Sequence, residues 1–166
     1  MKIYLLRHGV AVDHGTPGVT EEQRPLTSEG AAKMRQAAEG MKQFGVEFEV
    51  LLTSPLERAR QTADIVASVF NAKQRLKELA ALRAGGPIEK LWTALQPYNR
   101  CQRIMLVGHE PDMSRIASWL LAGREDVMDI NFKKGGLCLI EISSLPPRTP
   151  GSLRWLLTPK QMTLMK

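Results

Sequence analysis

The stretch Ile3-Tyr4-Leu5-Leu6-Arg7-His8-Gly9 decides how this chain is read. An apolar run is followed at once by a cation, an imidazole and a glycine. Over residues 2–7 this predicts a short buried strand that delivers polar chemistry at its carboxyl end. Ligands of open α/β sheets bind outside that edge, so the pattern places a candidate site at Arg7 and His8.

Two further apolar runs end in the same way. Phe48-Glu49-Val50-Leu51-Leu52-Thr53 predicts a strand, and Ser54-Pro55-Leu56-Glu57 follows it. A serine N-cap, a proline at the first helical position and a glutamate at the third predict a capping box there. The helix runs on to about residue 70 with Ala59, Thr62, Ala63, Val66 and Phe70 as its buried stripe, and it carries Arg58 in its first turn. Arg103-Ile104-Met105-Leu106-Val107-Gly108 predicts a third strand, followed by His109-Glu110-Pro111. Parallel strands would bring Arg7, His8, Arg58 and His109 to one edge of the sheet.

Around these three strands the chain alternates. Residues 9–26, with Gly9, Gly15, Pro17, Gly18 and Pro25, read as a loop with one short helical turn at Thr20-Glu21-Glu22-Gln23. Thr27 and Ser28 offer N-caps for a helix over 28–44, whose stripe is Met34, Ala37, Ala38, Met41 and Phe44 and whose stop is Gly45. A short strand at 75–77 and an irregular stretch at 78–86 precede a helix over 88–97 with Ile88, Leu91, Trp92 and Leu95 inward. Met113, Ile116, Ala117, Leu120 and Leu121 mark a helix closed near Gly123. Strands over 137–142 and 153–157 flank a Pro-rich turn at 145–151. The alternation predicts one domain over 1–166, an α/β fold built as a three-layer α/β/α sandwich. Its central sheet is mostly parallel, with the last strands antiparallel.

The 166 residues suffice for a substantial core. With 43% hydrophobic and 24% charged residues the chain falls among ordinary globular proteins. No apolar run approaches the ~18 residues of a membrane span, and Arg7-His8 comes too early for a signal-peptide core. A cytoplasmic protein without a membrane partner is expected. Cys101 and Cys138 have neither CxxC spacing nor a nearby His pattern, which predicts reduced thiols and no metal site. The net charge of +6 raises nucleic-acid binding as a possibility. Against it, the cations are dispersed, the densest group being Lys73, Arg75 and Lys77, and no stacking motif is present among 3 Trp, 2 Tyr and 4 Phe. A basic surface that attracts anionic substrates is the better reading.

Two arginines and two histidines at neighbouring strand ends suit an oxyanion, phosphate above all. Arginine forks match phosphate oxygens, a neutral histidine can attack phosphorus, and a second histidine can stabilise the transferring group. Arg58 stands where the helix dipole disfavours a cation by roughly a few tenths of a kcal/mol; a phosphate at that terminus would neutralise it. Taken singly, each residue has a plainer reading: a structural histidine, a solvated helix arginine. Their joint occurrence points to a phosphate site.

These residues lie in motifs of a known family. Leu6-Arg7-His8-Gly9, Arg24-Pro25-Leu26-Thr27-Ser28-Glu29-Gly30, Thr53-Ser54-Pro55-Leu56-Glu57-Arg58-Ala59-Arg60-Gln61-Thr62-Ala63 and Val107-Gly108-His109-Glu110-Pro111 together resemble the histidine phosphatase superfamily. The resemblance implies a phosphoglycerate-mutase-like fold and a catalytic set in which His8 becomes a phosphohistidine. Arg7, Arg58 and His109 would surround the phosphoryl group. The segment Leu76-Lys77-Glu78-Leu79 matches the place of the family's proton donor and makes Glu78 the candidate, with a solvated loop residue as the plainer alternative. Arg24 and Gly9 are implied substrate-binding residues, Arg24 having a simple loop arginine as its alternative. No metal or other cofactor is implied. Length and the segments Lys133-Lys134-Gly135-Gly136-Leu137 and Leu153-Arg154-Trp155-Leu156-Leu157-Thr158-Pro159 look most like the SixA-type phosphohistidine phosphatase branch. Val10 departs from the acidic residue that often follows Arg-His-Gly in relatives, which removes an acidic group beside His8 and leaves the implied phosphoryl-transfer core intact.

Residues 71–102 are too few for a large lid insertion. A lidless pocket is open to water, which favours hydrolysis over retention of the phosphoryl group, and it can admit a phosphorylated side chain of a protein. The leading expectation is a phosphatase acting on phosphohistidine of a signalling or phosphotransfer protein such as a histidine-phosphotransfer domain. The alternatives are a small-molecule phosphomonoesterase acting on a small phosphate ester, and a non-catalytic phosphate-binding module.

Overall fold

Side chains alternate between the two faces of a strand, so the unbroken apolar runs require cover on both faces of the sheet. A computed structural model describing residues 1–165 shows how the cover is supplied. The chain runs β1 (Lys2–Arg7), α1 (Ser28–Gln43), β2 (Val50–Thr53), α2 (Glu57–Val69), β3 (Leu76–Glu78), α3 (Ile88–Leu95), β4 (Arg103–Gly108), α4 (Asp112–Ala122), β5 (Leu137–Glu141), β6 (Ser152–Leu157) and α5 (Pro159–Thr163). The strands form one sheet in the order β3-β2-β4-β1-β5-β6. β1, β4, β2 and β3 are mutually parallel, with Arg7 opposite Gly108 and Thr53 opposite both Val107 and Glu78. β5 pairs antiparallel with β1, and β6 antiparallel with β5.

Ile3 and Leu5 of β1 cluster with Ile104 and Leu106 of β4 and with residues of α3 and α4. Tyr4, Leu6, Met105 and Val107 cluster on the other face with residues of α1, α2 and α5. Each buried large aliphatic contributes about 1.5–3 kcal/mol relative to exposure. A one-residue slip would turn every side chain to the opposite face, so the register is strongly specified. α1, following β1, covers one face and α4, following β4, covers the other. β1 and β4 are neighbours, and the gap between their carboxyl ends is a topological switch point of the kind that binds ligands.

Several local expectations change. α1 ends at Gln43, and Phe44 is 45% exposed, resting edge-on against Trp155 with ring centroids 5.6 Å apart. Ser54 does not cap α2: the N-cap is Leu56 and no side-chain cap bond forms. A capping box does form at Thr158 and Gln161, opening α5, which the sequence reading did not anticipate. β3 starts one residue late because Lys73–Arg75 turn as a 3-10 helix. The segment between β3 and β4 is spent largely on the core, with Leu82, Ile88, Leu91, Trp92 and Leu95 buried; its first residues pass the carboxyl end of β2, where Leu79 N donates to Thr53 O at 2.8 Å, and Arg83 pairs with Glu22 of loop 9–26. No helix among the described residues is long and apolar enough to cross a membrane.

Candidate active site

The β1–β4 register brings the two histidines together. His8 N donates to Gly108 O at 3.0 Å, directly beyond the last ladder pair. The imidazole centroids of His8 and His109 are 5.3 Å apart. Both rings are buried, at 6% and 2% exposure.

The environment of His8 sets its tautomer. Nδ1 lies 2.7 Å from Gly9 O. A carbonyl can only accept, so Nδ1 carries the proton and Nε2 keeps its lone pair. Burial pushes the His8 pKa down to about 3, and the positive charges of Arg58 and Arg7 act in the same direction. The ring is therefore neutral at physiological pH, as a nitrogen nucleophile must be. Gly9 is held in turn: its N–H donates to Thr62 Oγ1 at 3.0 Å, and Thr62 donates to Arg58 O at 2.7 Å. One chain of hydrogen bonds thus joins the His8 ring to the backbone of α2. Both polar backbone groups of Gly9 are committed, which makes its contribution the orientation of His8.

His109 is held from the other side. Its Nε2 lies 2.7 Å from Ser54 Oγ, and Leu56 N donates to the same oxygen at 3.3 Å. The serine hydroxyl can donate to Nε2 while accepting from Leu56 N; in that tautomer Nδ1–H is a buried donor, and Nδ1 has no protein partner. Burial first, and then Arg58, lower the His109 pKa to about 4. This is what Ser54 does in place of the expected cap.

The two arginines approach from different elements. Arg58, 3% exposed on the first turn of α2, donates from Nη1 to Glu21 O at 2.8 Å and places Nη2 3.0 Å from Glu21 Oε1. Arg7 donates from Nη1 to Phe132 O at 2.6 Å. Burial lowers both guanidinium pKa values, a cost that an adjacent anion would offset. Arg7 Nε, Arg58 Nε and His109 Nδ1 are buried without a partner. Each such group costs roughly 1–3 kcal/mol when left unsatisfied, more when charged. A tetrahedral oxyanion beside His8 Nε2 is the ligand whose oxygens suit that set.

Arg24 is brought to the same place through a carboxylate. Its Nη1 donates to Val12 O at 3.1 Å, and its Nε lies 3.0 Å from Glu21 Oε2. Glu21 therefore bridges Arg24 and Arg58, and it also lies 2.7 Å from His14 Nδ1. That hydrogen bond is the main reason its carboxyl pKa is lowered. Loop 9–26 is seated close against α1: Thr27 N donates to Val10 O at 3.0 Å, and a Cβ at Gly30 would stand 2.1 Å from that oxygen, so only glycine permits the approach.

Glu78 is not brought into this cluster. It ends β3, two strands from β4, with its side chain 55% exposed and paired to Arg60 Nε at 3.1 Å. Val10 is 37% exposed and leaves that position without charge. Ser54, Thr62, Glu21 and the Phe132 carbonyl were not assigned site roles from the sequence. Ser54 and Thr62 lie inside the quoted motif, where only their helix positions were read; Glu21 lay in a loop, and a carbonyl has no sequence signal. Among the described residues, no three His, Cys, Asp or Glu side chains are placed to hold a metal ion.

The model of the histidine phosphatase superfamily (branch 1) matches residues 3–94. The chain belongs to that superfamily. It is 34% identical over 145 residues, 82% of either chain, to an uncharacterised protein of Picosynechococcus sp.. It is 24% identical over 168 residues to the phosphohistidine phosphatase SixA of Escherichia coli, covering 100% of this chain and 99% of the relative. A structure of the protein histidine phosphatase SixA complexed with tungstate superposes with a TM-score of 0.81 at 24% identity, over 96% of this chain and 98% of that one. The fold of this histidine phosphatase is thus the phosphoglycerate-mutase-like one, without a large insertion between β3 and β4.

Proposed function

We propose that this histidine phosphatase removes phosphoryl groups through a phospho-His8 intermediate, and that its substrate is a phosphohistidine of a signalling or phosphotransfer protein. The observation that carries the reading is the neutral His8 with its proton fixed on Nδ1, set among three buried donors that lack partners.

In the first step His8 Nε2 attacks phosphorus in line. The P–Nε2 bond forms as the bond to the leaving group breaks, and the leaving group departs with the electron pair. Charge on the equatorial oxygens meets Arg7, Arg58 and His109 Nδ1–H. The His8 ring becomes cationic as it is phosphorylated, and its Nδ1–H to Gly9 O becomes a stronger, charge-assisted bond. Water then attacks phosphorus, the P–N bond breaks, and inorganic phosphate leaves with neutral His8 restored. An imidazole leaves as the neutral ring when its other nitrogen already carries a proton taken from solvent, so the protein need not supply one. That suits a site whose candidate donor, Glu78, is paired with Arg60. Arg24, tied to Arg58 through Glu21, adds positive charge at the rim. Buried Arg58 and half-buried Arg7 supply the charge that a metal would otherwise bring, so the activity is read as metal-independent.

With no large insertion between β3 and β4, the site is read as able to take a side chain presented by a macromolecule, and the net charge of +6 favours an acidic partner. The test compares kcat/KM on a phosphorylated histidine-phosphotransfer domain with kcat/KM on a panel of phosphate monoesters, each with and without EDTA. The expected result is a preference for the phosphoprotein of ~10-fold or more and no effect of EDTA. A monoester turned over faster than the phosphoprotein would make the enzyme a small-molecule phosphomonoesterase. Strong inhibition by EDTA would overturn the metal-free mechanism.

The pH profile should be displaced far to the acid side. kcat/KM follows ionisations of the free enzyme, and protonated His8 has no lone pair with which to attack. With His8 and His109 held down to about 3 and about 4, the acid limb belongs below pH 5 once substrate ionisation is accounted for. A break near pH 6.5 would contradict the neutral buried pair. The same shifts link stability to pH. Below pH 6.5 the unfolded chain takes up protons that the folded rings refuse. Stability is therefore full above 6.5 and falls towards pH 4, by on the order of 1 kcal/mol per pH unit for each ring.

A further inference from the structure

A polar ladder ties the loop after α4 to the strand end that carries Arg7. From Gly123 the chain doubles back along α4 towards the site. Ser118 Oγ accepts from Val127 N at 3.3 Å and Met128 N at 3.1 Å, and donates to Arg124 O at 2.7 Å. One turn earlier, Ser114 Oγ lies in hydrogen-bond contact with Ile130 O. Four residues earlier again, Glu110 Oε1 accepts from Phe132 N at 3.2 Å. Positions 110, 114 and 118 share a spacing of four and so form one stripe along α4 and its approach. Glu110 is itself anchored to the helix start: Ser114 N donates to Oε2 at 3.0 Å, and Ser114 Oγ lies 2.7 Å from Oε1, its single proton shared between that oxygen and Ile130 O.

The ladder ends on a catalytic group. The Phe132 peptide is held at its nitrogen by Glu110 and at its oxygen by Arg7 Nη1, 2.6 Å away. The Phe132 side chain is fully buried, which removes the freedom of the residue to follow a wandering guanidinium. Beyond it, Gly135 N donates to Arg7 O at 3.1 Å and His8 O at 2.9 Å, and Gly136 O accepts from Arg7 N at 3.0 Å. Gly135 does this with φ +76°, a conformation that suits glycine.

We propose that Glu110 is a positioning residue for phosphoryl transfer: by holding the Phe132 peptide from α4, it sets the plane of the Arg7 guanidinium that faces the phosphoryl group. The inference rests on the phosphatase reading above. The guanidinium is a rigid planar fork. Pinning Nη1 at the Phe132 carbonyl, with the Arg7 backbone already pinned, fixes where Nε and Nη2 stand. A displacement of about 1 Å in such a group can cost ~100-fold in rate. Charge alone makes the opposite demand. A carboxylate beside an anion site weakens anion binding, so if Glu110 acted by charge its removal would improve affinity for phosphate.

The test measures kcat and KM on p-nitrophenyl phosphate, inhibition by inorganic phosphate and thermal unfolding for the wild type, Glu110→Ala, Glu110→Gln and Ser114→Ala. Glutamine keeps an amide oxygen for Phe132 N while removing the charge. The expected result is a ~10- to 100-fold loss in Glu110→Ala, carried mainly by kcat, with recovery to within ~3-fold of the wild type in Glu110→Gln and a several-fold loss in Ser114→Ala. Wild-type kcat in Glu110→Ala, tighter phosphate binding in both Glu110 variants, or equal losses in the alanine and glutamine variants would each overturn the proposal. If Glu110→Ala does not fold, a wild-type kcat in Ser114→Ala overturns it as well. Failure of the phosphatase reading is separate: it shows as equal turnover by the wild type and His8→Ala. Phosphate inhibition or binding by the Glu110 variants then still reports on Arg7.

Discussion

His8→Ala is expected to lower kcat on p-nitrophenyl phosphate by ~1000-fold or more. The site has no second nitrogen able to take over. His109 Nε2 is engaged by Ser54, and its Nδ1 is taken in the proposed mechanism as the donor to the phosphoryl oxygens. Direct attack by water would have to come from the His8 side without a base there. The fold should tolerate the change, because the ring lies at the strand end rather than between sheet and helix, and Gly9 O and Nδ1 lose a bond worth about 1 kcal/mol net. The measurement pairs steady-state turnover with trapping of an acid-labile, alkali-stable phosphoenzyme. The wild type should form it and the variant should not. A variant that keeps a tenth of the wild-type rate would remove His8 from the role of nucleophile.

Arg58→Ala should cost ~100- to 1000-fold in kcat/KM, the scale seen when one preorganised donor to a developing charge is lost. More than one contact goes with the side chain. Nη1 and Nη2 hold the carbonyl and the carboxylate of Glu21, and through Glu21 they hold Arg24. The third nitrogen, Nε, is left for the substrate. Arg58→Lys restores the charge but not this three-way geometry, because an ammonium is a point donor on a flexible stem. It should therefore recover less than about a tenth of the lost activity. Kinetics and the binding isotherm of tungstate or phosphate measure both variants. Full rescue by lysine would show that Arg58 acts through bulk charge alone. Weak anion binding with an unchanged kcat would show that it binds the ground state without assisting the reaction.

The strand ends that make up the site were legible because their residues are informative in themselves. An apolar run that stops at Arg7-His8 or at Gly108-His109 leaves few places for the polar groups except the sheet edge, and Arg58 stood out as a cation at the wrong end of a helix dipole. The partners of these groups were less visible. The S/T-x-x-E/Q pattern occurs at Ser54–Glu57 and again at Thr158–Gln161, and it makes a capping box at the second place alone. The difference is His109, 55 residues from Ser54 in sequence and 2.7 Å away in space. A local pattern cannot show that its hydroxyl has a better-placed partner elsewhere. Phe44 fits the helical period of α1 but follows the last helical residue, so it rests against Trp155 at the surface.

The sequence by itself determined the two-faced core, the parallel strands and the identity of the four groups at their ends, because hydrophobic period and residue chemistry are local properties. Tertiary structure alone decided which way each group is wired. The pairing of β1 with β4 sets the two imidazoles side by side, Gly9 assigns the proton of His8, Ser54 engages His109, and Glu21 joins Arg24 to Arg58. The strand order also leaves Glu78 two strands away with Arg60. Hydrogen bonds between residues far apart in the chain exist only once the sheet order is formed, and those bonds gather Arg7, His8, Arg58 and His109 of Leu6-Arg7-His8-Gly9 and its partner segments into one cluster.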